Sequence, residues 1–351
     1  MLVLLAFSFL LVIHSSYATL TIEEFLSKSI PEEAEELAGE ALVEYVNKQQ
    51  PFFKAEYSAQ AEQRMQHLMR MEYDEKHEQN IGLLKADPLK DDFDYDIPES
   101  FDSRQKWKDC PSIRDIRDQS NCGSCWAVSA AETMSDRLCI HSRGKRKMRI
   151  SDTDILSCCG DFCGSGCNGG YSTRAWLYAK QYGVCSGGQY EEQGVCKPYV
   201  FHPCGWHRGQ KYYGECPKHL YKTPLCREYC QYGYGKRYKQ DKVFATGAYM
   251  VPKSEERIQL EIVVKGPVQA AFTVYEDFGY YKKGVYVHTS GRPRGRHAVK
   301  IIGWGVQNGT KYWTVANSWN IDWGEDGFFR IVRGVNNCGI EEAIVAGNFF
   351  F

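Results

Sequence analysis

The stretch DQSNCGSCWAVSAAETMSDRLCIH, residues 118–141, sets Cys122 and Cys125 among glycine and serine and then turns into a helical pattern. Val128, Ala131, Met134 and Leu138 recur at helical spacing, so Cys125 stands at a helix N-terminus. There the helix dipole and free N–H groups favour a thiolate. Gly123 and Ser124, just before it, allow a substrate backbone to come close. A zinc reading needs two ligand pairs at suitable spacing, for which Cys158, Cys159, Cys163 and Cys167 are available. A thioredoxin-like reading needs the pair after a strand in a βαβ unit. Neither context is present: the other cysteines are irregularly spaced and the strand-like runs lie far downstream. Disulfides are the default for cysteines in a secreted chain, but fifteen is odd, so at least one thiol has no intramolecular partner. Cys125 is the best candidate for it.

The chain has 351 residues, 43% of them hydrophobic, enough for one large or two medium domains. A net charge of −1 argues for no global basic field and so for no nucleic-acid partner. The opening run MLVLLAFSFLLVI is apolar, too short to span a bilayer, and followed by the small residues of HSSYA. We read a secretory signal over 1–18, although no Lys or Arg precedes the apolar run. No other stretch is long enough for a membrane helix, so no membrane partner is expected. The cysteines fit an oxidising compartment, and all lie between Cys110 and Cys338.

That distribution marks a boundary. In PEEAEELAGEALVEYVNK, residues 31–48, Leu37, Ala38, Ala41, Leu42, Tyr45 and Val46 form one apolar helical stripe behind Pro31. A weaker helical pattern runs over 61–78 through Met65, Leu68 and Met69, and the acidic linker DPLKDDFDYD occupies 87–96. A cysteine-free, acidic, helical segment over 19–96 reads as a pro-segment; a small helical domain that stays attached is the alternative. The body, 97–351, begins helical and becomes rich in Gly, Cys and turn signals around CCGDFCGSGCNGGY. From Phe244 onward come short runs rich in Val, Ile and aromatics: VFATGAYMV, GPVQAAFTVY, HAVKIIGWG, KYWTVANSW and GFFRIV. An α+β fold follows, a helical lobe and then an antiparallel β lobe. Asn308-Gly309-Thr310 is a glycosylation sequon between two of these runs.

A thiolate nucleophile needs a base, and His297 opens HAVKIIGWG while Asn317 follows KYWTVA. An Asn oxygen can accept the imidazole N–H and fix the ring, which is the logic of nucleophile, base and orienter. QSNCGSCWA, HAVKIIGWG and ANSWNIDWGEDGFF together resemble the signature regions of papain-like cysteine proteases. PESFDSRQKW, CCGDFCGSGCNGGY, YKQDK, GPVQAAFTVYEDF and CGIEEAIVAG extend the likeness over 97–347 and bring it nearest to the cathepsin B type. YWTVANSWNIDWGE is also similar to a run of such enzymes from blood-feeding worms, for which dietary protein would be the substrate.

The resemblance implies a papain-like two-lobed fold, with a helical left lobe and an antiparallel β right lobe, preceded by a helical pro-segment. It implies Cys125 as nucleophile, His297 as general base and acid, Asn317 as orienter and Gln119 as oxyanion donor, with Trp319 covering the His–Asn pair. Gly169 and Gly170 would line the cleft, and Ser172, Ala271, Ala298 and Ala343 would wall the S2 pocket. Where cathepsin B carries a pocket glutamate this chain has Ala343, with Glu341 and Glu342 expected to point elsewhere, and Arg296 adds positive charge at the rim. Implied disulfides are Cys110–Cys139, Cys122–Cys167, Cys158–Cys226, Cys159–Cys163, Cys196–Cys230 and Cys204–Cys216. These leave Cys125, Cys338 and the extra Cys185. The loop CGWHRGQKYYGEC, residues 204–216, matches the loop that occludes the primed side, with Trp206 in place of its first histidine and only His207 left. The loss predicts a loop missing its anchor to Asp118, with Arg208 as a substitute, and a reduced dipeptidyl carboxypeptidase activity. Expected partners are protein and peptide substrates, the chain's own pro-segment as inhibitor and cystatin-type inhibitors. No metal or organic cofactor is required, and the expected location is secreted or lysosomal.

Overall fold

The computed structural model describes residues 20–74, 84–85 and 96–350. The leader 1–18 and the acidic linker up to residue 95 lie outside the described residues. Helix α1 (Ile22–Leu26) opens on a capping box: Thr21 accepts the Glu24 N–H, and the Glu24 carboxylate accepts the Thr21 N–H. The stripe over 31–48 is not one helix. It divides into α2 (Glu32–Glu35) and α3 (Gly39–Gln49), with Ala38 extended and Gly39 left-handed at φ 58° between them. The break lets two short faces meet the body separately. Ala34 O accepts from Ser290 Oγ, while Leu42 and Val46 enter the main apolar core.

Strand β1 (Phe53–Ala55) then pairs antiparallel with residues 281–284 of the body. Helix α4 (Ala59–Met65) stops at Gln66, well short of the 61–78 that its periodicity suggests. Beyond it the chain turns backbone groups to the body, beginning with the His67 carbonyl, which accepts from Gln119 Nε2. Met69 exchanges both backbone hydrogen bonds with Arg296, each 2.9 Å, which competes with helical pairing. A two-residue strand β2 (Leu84–Lys85) lies parallel to residues 249–250.

In the body, β3 (Phe101–Asp102) and α5 (Ser103–Lys106) lead into the left lobe of α6 (Cys125–His141), α7 (Asp152–Cys158), α8 (Ser172–Tyr182) and α9 (Tyr238–Asp241). The right lobe holds β4 (Gly247–Val251), α10 (Glu255–Lys265), β5 (Val268–Tyr275), α11 (Glu276–Gly279), β6 (Tyr281–Tyr286), β7 (Pro293–Gln307), β8 (Thr310–Ala316), β9 (Phe328–Val332) and β10 (Ile344–Asn348). Its strands run in the order β1-β6-β9-β8-β7-β5-β10-β4-β2, mostly antiparallel, with β6–β9 and β2–β4 parallel. The runs picked out in the sequence become β4, β5, β7, β8 and β9.

Helix α6 is buried on every side from Cys125 to Cys139, because it runs between the lobes. Two of its charges are paired inside: Arg137 meets Glu261 at 2.9 Å, and Asp136 meets Lys300 of β7 at 2.8 Å. These pairs hold the C-terminal half of α6 in register with the sheet. The structure contains the disulfides Cys110–Cys139, Cys122–Cys167, Cys158–Cys226, Cys159–Cys163, Cys196–Cys230 and Cys204–Cys216. Cys125 and Cys185 are buried free thiols and Cys338 is a half-buried one.

Candidate active site

Cys125 is the first residue of α6 and is fully buried. Burial pushes its thiol up to about 12, against the opposing backbone contacts of Ala298, Trp126, Cys125 itself and Met69. His297, on β7 beside Ala298, donates from Nε2 to Asn317 Oδ1 at 2.7 Å. That oxygen is held in turn by the Ser318 N–H at 2.8 Å. With Nε2 carrying the proton, Nδ1 is the free base; it has no hydrogen-bond partner among the described residues. Trp319 stacks on the imidazole with ring centres 4.9 Å apart. Burial holds His297 down at about 4, with the Asn317 bond opposing. Thiol and imidazole are thus both neutral here.

Gln119 sits at the same place. Its Nε2 donates to Cys122 O at 2.9 Å and to His67 O of the N-terminal segment at 3.0 Å. Ser318 Oγ donates to its Oε1 at 2.7 Å, and Tyr199 Oη donates to its carbonyl at 2.7 Å. Tyr199 also bonds Ser124 Oγ at 2.8 Å, tying Gln119 to the residue that opens α6. Sequence reasoning missed Ser318 and Tyr199, since neither carries a chemical signature of its own.

The N-terminal segment expected as inhibitor packs against these residues through His67, Met69 and Tyr73. Gly169 has φ 132°, and a Cβ there would come within 2.4 Å of the Tyr73 ring; one on Gly170 would come within 2.7 Å of Trp126. So Gly169 faces the bound segment while Gly170 backs onto α6. Ala271 pairs with Ala298 across β5 and β7, and Ala343, just before β10, continues that row by register. Met69 is buried in one apolar cluster with Ala271 and Ala298. Ser172 is buried, with its Oγ on Gln269 Nε2 at 2.9 Å. Glu341 is turned away, its carboxylate accepting from Trp313 Nε1 at 2.8 Å and from the Gly334 and Asn336 amides. Glu342 pairs with Lys253 at 3.4 Å.

The 204–216 loop keeps an anchor, contrary to the loss that Trp206 suggests. His207 itself reaches Asp322 at 3.2 Å and Asp118 at 3.5 Å, while Trp206 lies 70% exposed and stacked on Tyr212. Arg208 is exposed and forms no ion pair among the described residues. Burial opposes protonation of His207, but the Asp322 bond and the Asp118 charge outweigh it and raise its pKa. Asn308 is exposed at the β7–β8 turn with φ 50°.

Residues 97–348 match the model of the papain family cysteine protease, and the chain belongs to that family. Cathepsin B-like cysteine proteinase 1 of Haemonchus contortus is 49% identical over 325 residues, 93% of this chain and 93% of that one. Cathepsin B-like cysteine proteinase 4 of Caenorhabditis elegans is 50% identical over 311 residues, 88% of this chain and 91% of that one. The solved proCathepsin B S9 from Trypanosoma congolense is 35% identical with a TM-score of 0.74, covering 91% of this chain and 100% of that one. Within the family the chain is a cathepsin B-like cysteine proteinase with the fold of a zymogen.

Proposed function

We propose that the protein is a secreted or lysosomal endopeptidase, made with a leader over 1–18 and silenced by a pro-segment over 19–96 until the 97–351 domain is released. The observation that carries this reading is the His67 carbonyl on Gln119 beside Cys125 and the His297–Asn317 pair. A pro-segment carbonyl there takes the donor that an oxyanion would use. Once the segment leaves, water re-enters and charge on the pair becomes affordable. Nδ1 of His297 takes the Cys125 proton, and Asn317 holds the imidazolium through Nε2. The sulfur attacks the peptide carbonyl, and the oxyanion is held by Gln119 Nε2 and the Cys125 N–H. His297 protonates the leaving amine, then takes a proton from the water that hydrolyses the thioester.

The Ala271–Ala298–Ala343 row favours an apolar P2 side chain, and Met69 packs with two of its members. A P2 guanidinium would be desolvated without a carboxylate, since Glu341 and Glu342 are engaged elsewhere, and Arg296 would repel it. Partial burial makes that cost about 1.5–3 kcal/mol, or about 10- to 100-fold in kcat/KM. Activated enzyme should cleave a Phe-Arg fluorogenic substrate that much faster than Arg-Arg, and Ala343→Glu should restore the Arg-Arg rate. Near-equal rates in the unmodified enzyme would refute the pocket assignment.

Dipeptidyl carboxypeptidase activity is expected to be present but reduced, because the single loop histidine is committed to Asp118 and Asp322. Trp206→His, supplying a second imidazole for the substrate carboxylate, should raise the exopeptidase rate. The anchor's raised His207 pKa sets the sign with pH. Its stabilisation is complete below the ordinary histidine value and disappears as pH rises through the raised one. The ratio of internal to dipeptidyl cleavage should therefore climb with pH. A flat ratio, together with no response to Trp206→His, would remove the loop argument.

A further inference from the structure

In GRPRGRH, residues 291–297, Arg292, Arg294 and Arg296 recur along the stretch that leads into His297, and the pairing of β7 with β5 is irregular at Arg294. Each arginine meets a different carboxylate of the N-terminal segment. Arg292 grips Glu36 in a two-point contact, one arm at 3.0 Å. Arg294 lies 3.9 Å from Glu62, and Arg296 lies 3.4 Å from Asp74. The whole chain follows the same division: acidic residues outnumber basic ones over 1–96, and basic outnumber acidic over 97–351.

The body supplies little to replace these partners. Arg294 has Glu276 at 3.1 Å, and the guanidinium of Arg296 has, among the described residues of the body, the Thr273 hydroxyl at 2.8 Å. Arg296 Nε has no hydrogen-bond partner among the described residues. Among the described residues Arg292 pairs with no carboxylate besides Glu36. Removing the pro-segment, the step on which the proposed function rests, would uncover two underpaired guanidinium groups and a third that is half neutralised, on the strand that carries His297.

We propose that in the mature enzyme this arginine strip docks acidic stretches of protein substrates, selecting polypeptides that carry Glu or Asp close to the scissile bond. The occupant is a polypeptide rather than a sulfated polysaccharide because of Arg296. Its side chain is 4% exposed and is reached by Asp74, five residues along a chain whose backbone is already paired with Arg296 through Met69. Only a partner that lies in the cleft as an extended chain can deliver a carboxylate there. Arg292 and Arg294, at 63% and 32% side-chain exposure, extend the same recognition outward.

The test uses enzyme activated from the full chain, and three peptides sharing a Phe-Arg core flanked on both sides by Glu-Glu, Gln-Gln or Lys-Lys. The Glu-Glu peptide should be cleaved about three- to tenfold faster in kcat/KM than the Gln-Gln peptide at low salt, with the gap closing at high salt. Arg292→Gln/Arg294→Gln should shrink that preference while leaving the Gln-Gln rate unchanged. In parallel, anisotropy of the labelled Glu-Glu peptide is followed on enzyme alkylated at its active thiol. Tighter binding than of the Gln-Gln peptide supports the strip even if no peptide is hydrolysed, an outcome that would count against the catalytic reading alone. Equal binding and equal rates for the two peptides overturn the strip. So does a preference that survives the double substitution, or arginine-dependent retention on heparin without acidic-peptide preference.

Discussion

Incubation of the full-length protein at pH 4.5 should create a new N-terminus near Asp96–Ile97 and switch on peptide hydrolysis; the trimmed Cys125→Ala protein should be slower in kcat by roughly 10^5-fold or more. The first half follows from what docking does to the buried groups. Burial, with the Arg64 charge second, holds His67 at about 4, below the ordinary 6.5. Its Nε2 has no hydrogen-bond partner among the described residues. A released His67 binds its proton at the ordinary value, whereas the docked one must wait for the depressed value. Docking is therefore fully supported above the ordinary value. Each pH unit below it, down to about 4, favours release by up to about tenfold from this one group. His297, also held at about 4, adds a contribution of the same sign. The second half follows from the role proposed for Cys125, whose sulfur would carry the acyl intermediate. Should untrimmed protein turn over substrate as fast as the trimmed form, the inhibitory reading of the N-terminal segment fails.

Gln119→Ala should lower kcat by about 10²- to 10³-fold with KM little changed, the usual loss for one oxyanion donor. Three contacts fix this carboxamide before any substrate arrives: Ser318 Oγ on Oε1, the Cys122 carbonyl on Nε2, and Tyr199 on the main chain. Preorganisation of that kind costs nothing at the moment of reaction, so its removal appears in kcat rather than in binding. The same substitution deletes the hydrogen bond to His67 O, so the Gln119→Ala precursor should also release its pro-segment at a higher pH. A fall in kcat smaller than about threefold would mean that the Cys125 N–H and the α6 terminus hold the oxyanion unaided.

The parts of this protein legible in its sequence are those whose chemistry is local. A thiol before a helical periodicity, a histidine opening a strand-like run and an asparagine closing another can each be read from a few neighbouring residues. In the structure Cys125 starts α6 with the backbone of Ala298 at its thiol, and His297, the residue before Ala298, is hydrogen-bonded to Asn317. The strands of the right lobe were legible for the same reason, because alternation and β-branched residues act over five to ten positions.

Tertiary structure decided where distant partners compete with local preference. Periodicity alone continues a helix through Met69; the chain leaves it because the backbone of Arg296 offers hydrogen bonds from far along the sequence. Likewise α2 and α3 separate at Gly39 so that two faces can seat at once. The loop around Trp206 reads as one that lost its anchor, yet His207 spans both Asp118 and Asp322, carboxylates that only folding brings within reach of a single imidazole. Sequence by itself determined which groups are present and what each can do chemically. Folding determined which of them share a dry space, and burial there is what turns a reactive thiol and a base into a neutral, covered pair.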